Sequence, residues 1–181
     1  MQKFKSAKES QVSITQLMLP SHSNFGGKVH GGHILNLMDQ IAFACASKHS
    51  QCYCVTASVN RVNFLNPIDV GELVTLKASI NYTGKTSMVV GVRVESENIT
   101  SSKKKHCNSS YFTMVAKDEN GKSVPVPGLL IENEQGIRRF ARSKQRKEQA
   151  FIRDTEFDSA TFKVEKHLEL LNNENLKIAL K

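Results

Sequence analysis

From Ile34 to Ala46 the chain reads Ile-Leu-Asn-Leu-Met-Asp-Gln-Ile-Ala-Phe-Ala-Cys-Ala, directly after His30-Gly31-Gly32. The run predicts a helix from about Gly32 to about Lys48. It is apolar nearly all round, the mark of a helix buried in the core. Before it, Gln11 to Met18 predicts a short strand, and Ser21 to Lys28 is a loop by composition. After it come four extended stretches, roughly Tyr53–Phe64, Glu72–Tyr82, Thr86–Ser96 and His106–Lys117. Asn66-Pro67-Ile68-Asp69 with Gly71 separates the first two, and Thr83-Gly84-Lys85 makes a tight hairpin between the next two. In the third stretch Met88, Val90, Val92 and Val94 share one face, while Ser87, Val89, Gly91, Arg93 and Glu95 share the other.

One long helix followed by an antiparallel meander defines an α+β domain with the helix on one sheet face. A single helix cannot cover both faces, so self-association through continuous or stacked sheets is expected. Val124-Pro125-Val126-Pro127-Gly128 ends the compact part, placing the domain at residues 6–128. From about Glu132 to residue 181 the chain is charged, helix-prone and almost free of Gly and Pro. That extension predicts one or two helices, with disorder toward its end.

A length of 181 residues suits one domain and an appendage. No apolar stretch reaches membrane-spanning length, and the first residues lack a signal-peptide core, so a cytoplasmic location is expected. Cys45, Cys52, Cys54 and Cys107 fit that compartment as reduced thiols, and Cys52-Tyr53-Cys54 lacks the spacing of a zinc or redox site. His22, His30 and His33 match no metal-ligand helix and read as loop and helix-start residues, so no metal is expected. The net charge of +8 gathers in Lys103-Lys104-Lys105 and in Arg138-Arg139, Arg142, Lys144 and Arg146-Lys147. Apart from Phe140, neither cluster is interleaved with aromatic residues, which argues against nucleic acid. Solvated faces, or contacts to phosphates on a small molecule, remain.

Candidate chemistry centres on Asp39. A carboxylate inside a buried helix is costly unless paired, hydrogen-bonded or put to use. Gly31 and Gly32 at the start of the same helix leave bare N–H groups for an anion. An acid in the helix beside an anion-binding helix start is the pattern of an acyl-transfer site.

The segments Asn24…Gly26-Gly27-Lys28-Val29-His30-Gly31-Gly32…Leu37-Met38-Asp39, Val55-Thr56-Ala57-Ser58-Val59, Phe64-Leu65-Asn66-Pro67-Ile68, Gly84-Lys85-Thr86-Ser87-Met88 and Phe112 to Lys122 follow in order. In that order the chain, from about Ser6 to Pro127, resembles the hotdog-fold acyl-CoA thioesterases of the cytosolic long-chain type and their bacterial single-domain form. The resemblance implies a long helix wrapped by an antiparallel sheet, paired into dimers and assembled as a trimer of dimers. It implies that Asp39 acts as base or nucleophile, and that Asn24, from another subunit, holds water or the thioester. Asn60 stands where relatives carry an acidic residue and receives no role.

On this reading Asp39 takes a proton from water, and the Gly32 N–H, with that of Gly31, stabilises the oxyanion. Asn24 offers both a donor and an acceptor. His30 shapes the loop or binds substrate, with a role as second base the alternative. Lys85, Thr86 and Ser87 are candidate contacts for pantetheine or phosphate, with Arg93 and Arg61 as weaker ones. No cofactor is expected, coenzyme A being part of substrate and product. The chain has neither a G-x-S-x-G elbow nor a GxxxxGK[ST] loop. The alternatives are a non-catalytic acyl-CoA-sensing hotdog module with a basic tail, and a dehydratase of hydroxyacyl thioesters, which would pair a histidine with a carboxylate.

Overall fold

The computed structural model describes residues 3–156, 161–164, 168 and 176. In order, β1 (Phe4–Ser6), α1 (Ala7–Ser10) and β2 (Val12–Leu17) precede a 3-10 turn at Pro20–His22 and the long helix α2 (Gly31–Ser50). Then come β3 (Tyr53–Val59), β4 (Asn63–Phe64), β5 (Glu72–Thr83), β6 (Ser87–Asn98), β7 (Lys104–Lys117), β8 (Gly128–Leu130) and α3 (Glu134–Glu156). The main sheet is antiparallel in the order β2-β5-β6-β7-β3, with β4 also on β7. This is the α+β hotdog architecture that the pattern predicts: a helix cradled by one curled sheet.

Alternation builds the inner face. Val74, Leu76, Ala78 and Ile80 of β5 are buried, as are Met88, Val90, Val92 and Val94 of β6. Phe112, Met114 and Ala116 of β7 continue the layer. Against it α2 lays Ile34, Leu37, Met38, Ile41, Ala42, Cys45 and Ala46, at the spacing that puts one stripe on one side of a helix. Each large side chain taken fully from water stabilises by roughly 1.5–3 kcal/mol. Gly91 leaves room for Asn81 of the neighbouring strand: a Cβ there would lie 2.2 Å from the Asn81 side-chain nitrogen.

Three expectations are corrected. First, α2 is not apolar all round. Asn36, Asp39, Gln40 and Phe43 form an exposed stripe, so Asp39 is open in the single chain rather than buried. Second, the stretch from Tyr53 to Phe64 is two strands. Residues 60–62 bow out opposite only Ser110 and Tyr111 of β7, so the ladder breaks between Val59↔Phe112 and Asn63↔Ser109. Third, the body continues past Gly128: β8 pairs in parallel with β1, Phe4 opposite Gly128.

The chain divides into two compact units, one through Ser143 and one from Lys144. Within the first, Phe140 tilts against Tyr82 with ring centroids 4.8 Å apart, and Ser143 is buried. In the second, Lys144 pairs with Glu148 one turn on, and Phe151 and Ile152 are exposed. The disorder expected toward the end of the extension falls largely outside the described residues. No helix among them is long and apolar enough to cross a membrane.

Candidate active site

The loop ahead of α2 is wired through its own backbone. Asn24 N–H donates to the Lys28 carbonyl at 2.7 Å, and Gly27 N–H to the Asn24 carbonyl at 3.0 Å. Gly27 sits at φ +74°, a conformation glycine adopts without steric cost. The Asn24 side-chain oxygen accepts from the N–H groups of Gly26 and Lys28, at 2.9 and 3.2 Å. That corrects the expectation of a side chain offering both functions: its acceptor is committed to the loop, and its Nδ2 donors are what it can offer a ligand.

His30 is the N-cap of α2. Its Nδ1 accepts from Gly32 N–H at 2.9 Å, which requires a lone pair on Nδ1 and, by inference from this bond, a ring proton on Nε2. The Gly32 amide expected in an oxyanion hole is therefore engaged. Gly31 is the first helical residue, whose N–H the helix itself leaves unpaired. A Cβ at Gly31 would lie 3.1 Å from the Phe64 ring, so glycine lets that aromatic close over the helix start. Next to it, the rings of His22 and His33 stack at 3.9 Å. Burial, reinforced by the neighbouring His22, holds His33 below its ordinary pKa.

Asp39 lies eight residues further along α2, about 12 Å at 1.5 Å per residue. Thr56 of β3 donates its hydroxyl to Asp39 Oδ1 at 2.6 Å. An extra residue in β3 between Thr56 and Ser58 shifts the register right beside this pair. A charge-assisted bond of this length fixes one carboxylate oxygen and leaves Oδ2 to take a proton. Thr56 was not singled out in the sequence as a site residue. Its signal was a hydroxyl on the strand face that Cys54 and Met114 bury.

Lys85, Thr86 and Ser87 form the β5–β6 hairpin, their carbonyls accepting from Val126, Ala116 and Gly84 N–H groups. Through Val115, Ser87 lies two strands from Val55, one residue along from the row that carries Thr56. Arg93 is not brought to this region. It lies six residues along β6 from Ser87, on the same sheet face, and binds Glu95 at 2.8 Å. Lys77 and Arg93 together hold the Glu95 carboxyl down to about 2. Arg61 sits in the bow between β3 and β4 and donates to Asn63 Oδ1 at 3.0 Å. Among the described residues no three His, Cys, Asp or Glu side chains gather as a metal site requires. Burial raises the Cys45 thiol to about 12, so it is inert as a nucleophile.

A curled antiparallel sheet around one helix, with a wired loop at the helix start and a threonine-held aspartate on its open face, defines a hotdog protein with a hydrolase-like site. The family profile described as thioesterase superfamily matches residues 26–103. Protein VdlD of Helicobacter pylori is 44% identical over 78% of this chain and 81% of its own. The uncharacterized acyl-CoA thioester hydrolase YkhA of Bacillus subtilis is 36% identical over 72% of this chain and 76% of its own. The human cytosolic acyl coenzyme A thioester hydrolase is also 36% identical, over 76% of this chain but 37% of its own length. A hexameric acyl-CoA thioesterase structure superposes with a TM-score of 0.81 at 36% identity, covering 84% of this chain and 97% of the other. The acyl-CoA hydrolase of Staphylococcus aureus, solved with butyryl coenzyme A and coenzyme A, gives 0.78 at 30% identity, covering 93% and 98%. That hydrolase has also been solved with one aspartate, one threonine or one asparagine replaced by alanine. The chain belongs to the hotdog-fold acyl-CoA thioesterases.

Proposed function

We propose that this chain hydrolyses acyl-CoA to a free acid and coenzyme A in a site shared between two copies. Asp39 of one copy is the general base, and Asn24 with the Gly31 amide of the other faces the thioester carbonyl. One observation carries this reading: within one chain the threonine-held carboxylate and the open helix start lie about 12 Å apart along α2. A base and an oxyanion donor must both stand about 3 Å from the same reacting group. A single chain cannot meet that condition; two copies facing each other can.

Further support comes from the Staphylococcus aureus hydrolase. The asparagine, aspartate and threonine replaced there have the same separations along the chain as Asn24, Asp39 and Thr56 here. Exposed aromatics lie both at the loop and helix start and on α2 beside Asp39. Phe25, Phe43, Tyr53 and Phe64 are all exposed, and β3 ends the sheet with an unpaired edge. Covering them with a second copy removes a patch and an edge that isolated proteins rarely leave open. A trimer of such dimers accords with the hexameric relative.

Asp39 Oδ2 accepts a proton from water as the water oxygen bonds to the thioester carbon. Negative charge on the carbonyl oxygen is met by Gly31 N–H and the Asn24 amide. When the carbon–sulfur bond breaks, the proton on Asp39 returns to the departing thiolate, leaving the acid and CoA-SH. The hairpin Lys85-Thr86-Ser87 supplies donors and a cation within two strands of β3, suited to the pantetheine arm or a phosphate. No cofactor enters these steps. The test is release of free CoA from short-, medium- and long-chain acyl-CoAs. Turnover by the wild type and its loss in Asp39→Ala are expected; acyl-CoA binding without turnover by the wild type would replace hydrolysis with sensing.

A further inference from the structure

The Asn24 loop is tied to the sheet by a chain of charges that the proposed chemistry does not use. Glu72 opens β5 with its side chain only 7% exposed. Its Oε1 binds Lys105 Nζ of β7 at 3.0 Å, and its Oε2 accepts from Asp69 N–H at 3.1 Å. Lys105 also reaches Asp69 Oδ2 at 3.6 Å, and Asp69 Oδ1 binds Lys28 Nζ. Exposure rises along the chain, from 31% at Lys105 to 45% at Asp69 and 48% at Lys28. The relay therefore starts on a buried anchor and ends on the loop.

Lys28 is also the residue whose N–H binds the Asn24 side-chain oxygen and whose carbonyl binds Asn24 N–H. The backbone adds to the tether: Lys28 bridges Asp69, and Val29 N–H donates to the Ile68 carbonyl at 2.9 Å. The Lys28 hydrogen bond, with the charges of Lys28 and Lys105, holds the Asp69 carboxyl below its ordinary range. Burial works to lower Lys105, and the Glu72 bond together with the charges of Glu72 and Asp69 outweighs it, leaving Lys105 above its ordinary value. Both shifts favour the charged forms of Asp69 and Lys105, the inner members of the relay.

We infer that Glu72, Lys105, Asp69 and Lys28 are positioning residues that set where the Asn24 amide meets the thioester. The inference rests on the reading that Asn24 contacts the substrate. Misplacement of a contacting group by about 1 Å can cost up to a hundredfold in rate, whereas loss of an exposed ion pair by itself costs little stability. The role is thus visible in turnover before it is visible in folding.

The test is a cycle of Asp69→Asn, Asn24→Ala and the double variant in the full-length protein, scored by kcat and KM for CoA release. Lys28→Met serves as an independent break of the same link, and Asp69→Glu as the conservative variant. Asp69→Asn and Lys28→Met are each expected to lower kcat about tenfold with an unchanged assembly, Asp69→Glu to recover most of it, and Asp69→Asn to add nothing to Asn24→Ala. Full additivity in the double variant, or wild-type kcat in both single breaks, overturns the positioning role while leaving Asn24 in the site. Wild-type turnover in Asn24→Ala overturns the reading beneath it.

Discussion

The two ends of the site in one chain are built in opposite ways. From Asn24 to Gly32 nearly every polar group is bound within the same chain: the asparagine oxygen to its loop, His30 to Gly32, and Lys28 to Asp69. Around Asp39 a single hydrogen bond from Thr56 orients the carboxylate, and the surrounding aromatics are exposed. The first region is braced within its own chain, and the second offers only one part of the proposed site. A surface of this kind makes chemical sense when the other part comes from a copy of the first region.

The contrast predicts that loss of the Asp39 carboxylate costs turnover alone, while damage to the loop end costs turnover where it frees or removes Asn24 and stability where it removes the cap of α2. The largest effect is expected from Asp39→Ala, which removes the proposed proton acceptor and lowers kcat by roughly two to four orders of magnitude. Sedimentation should show an unchanged assembly, and near-normal turnover would break the comparison at once. Thr56→Val comes next. It removes a bond to a charged group worth about 1.5–3 kcal/mol, so a fall in kcat of about ten- to a hundredfold is expected, with Thr56→Ser retaining most activity.

The far end of α2 supplies a control through pH. His49 is fully buried, its Nε2–H donating to the Pro127 carbonyl at 3.3 Å and its Nδ1 accepting from the Ser10 hydroxyl at 2.9 Å. Burial holds its pKa below the ordinary value, and the nearby Lys5 charge adds to this against the Pro127 bond. The unfolded chain takes that proton near pH 6.5 and the folded chain only at lower pH. Stability should therefore fall as pH drops below about 6.5, by up to ~1.4 kcal/mol per unit, and His49→Gln should flatten that part of the Tm profile. The smallest effect belongs to the loop end: His30→Ala removes a helix cap and should cost about 1 kcal/mol of stability, read as a lower Tm.

Much of this architecture was legible from periodicity alone. Alternation in β5, β6 and β7 set both the strands and their buried face, because a residue's side of a sheet follows from parity. The open stripe on α2 was legible in principle. Asn36, Asp39, Gln40 and Phe43 stand three and four apart, but the apolar residues packed between them hid the stripe. The break after Val59 carried no Gly or Pro to announce it; only the register against β7 reveals the extra residue. Asp39 and Asn24 could be named from motif order, whereas Thr56 and the Glu72–Lys105 pair could not. Those partners are 17 and 33 positions apart and meet only when the strands are in register. Parity gave the face of Arg93, and only the structure shows its pairing with Glu95.

The central claim is that one active site needs Asp39 and Asn24 from different copies. It is tested most directly by unfolding Asp39→Ala and Asn24→Ala chains together, refolding the mixture and measuring CoA release. A mixed pair holds one site with both residues intact and one with neither. Random pairing should then restore about a quarter of wild-type turnover from two nearly inactive parents. Recovery no greater than the average of the two separately refolded variants would place both residues in one chain's site and contradict the account.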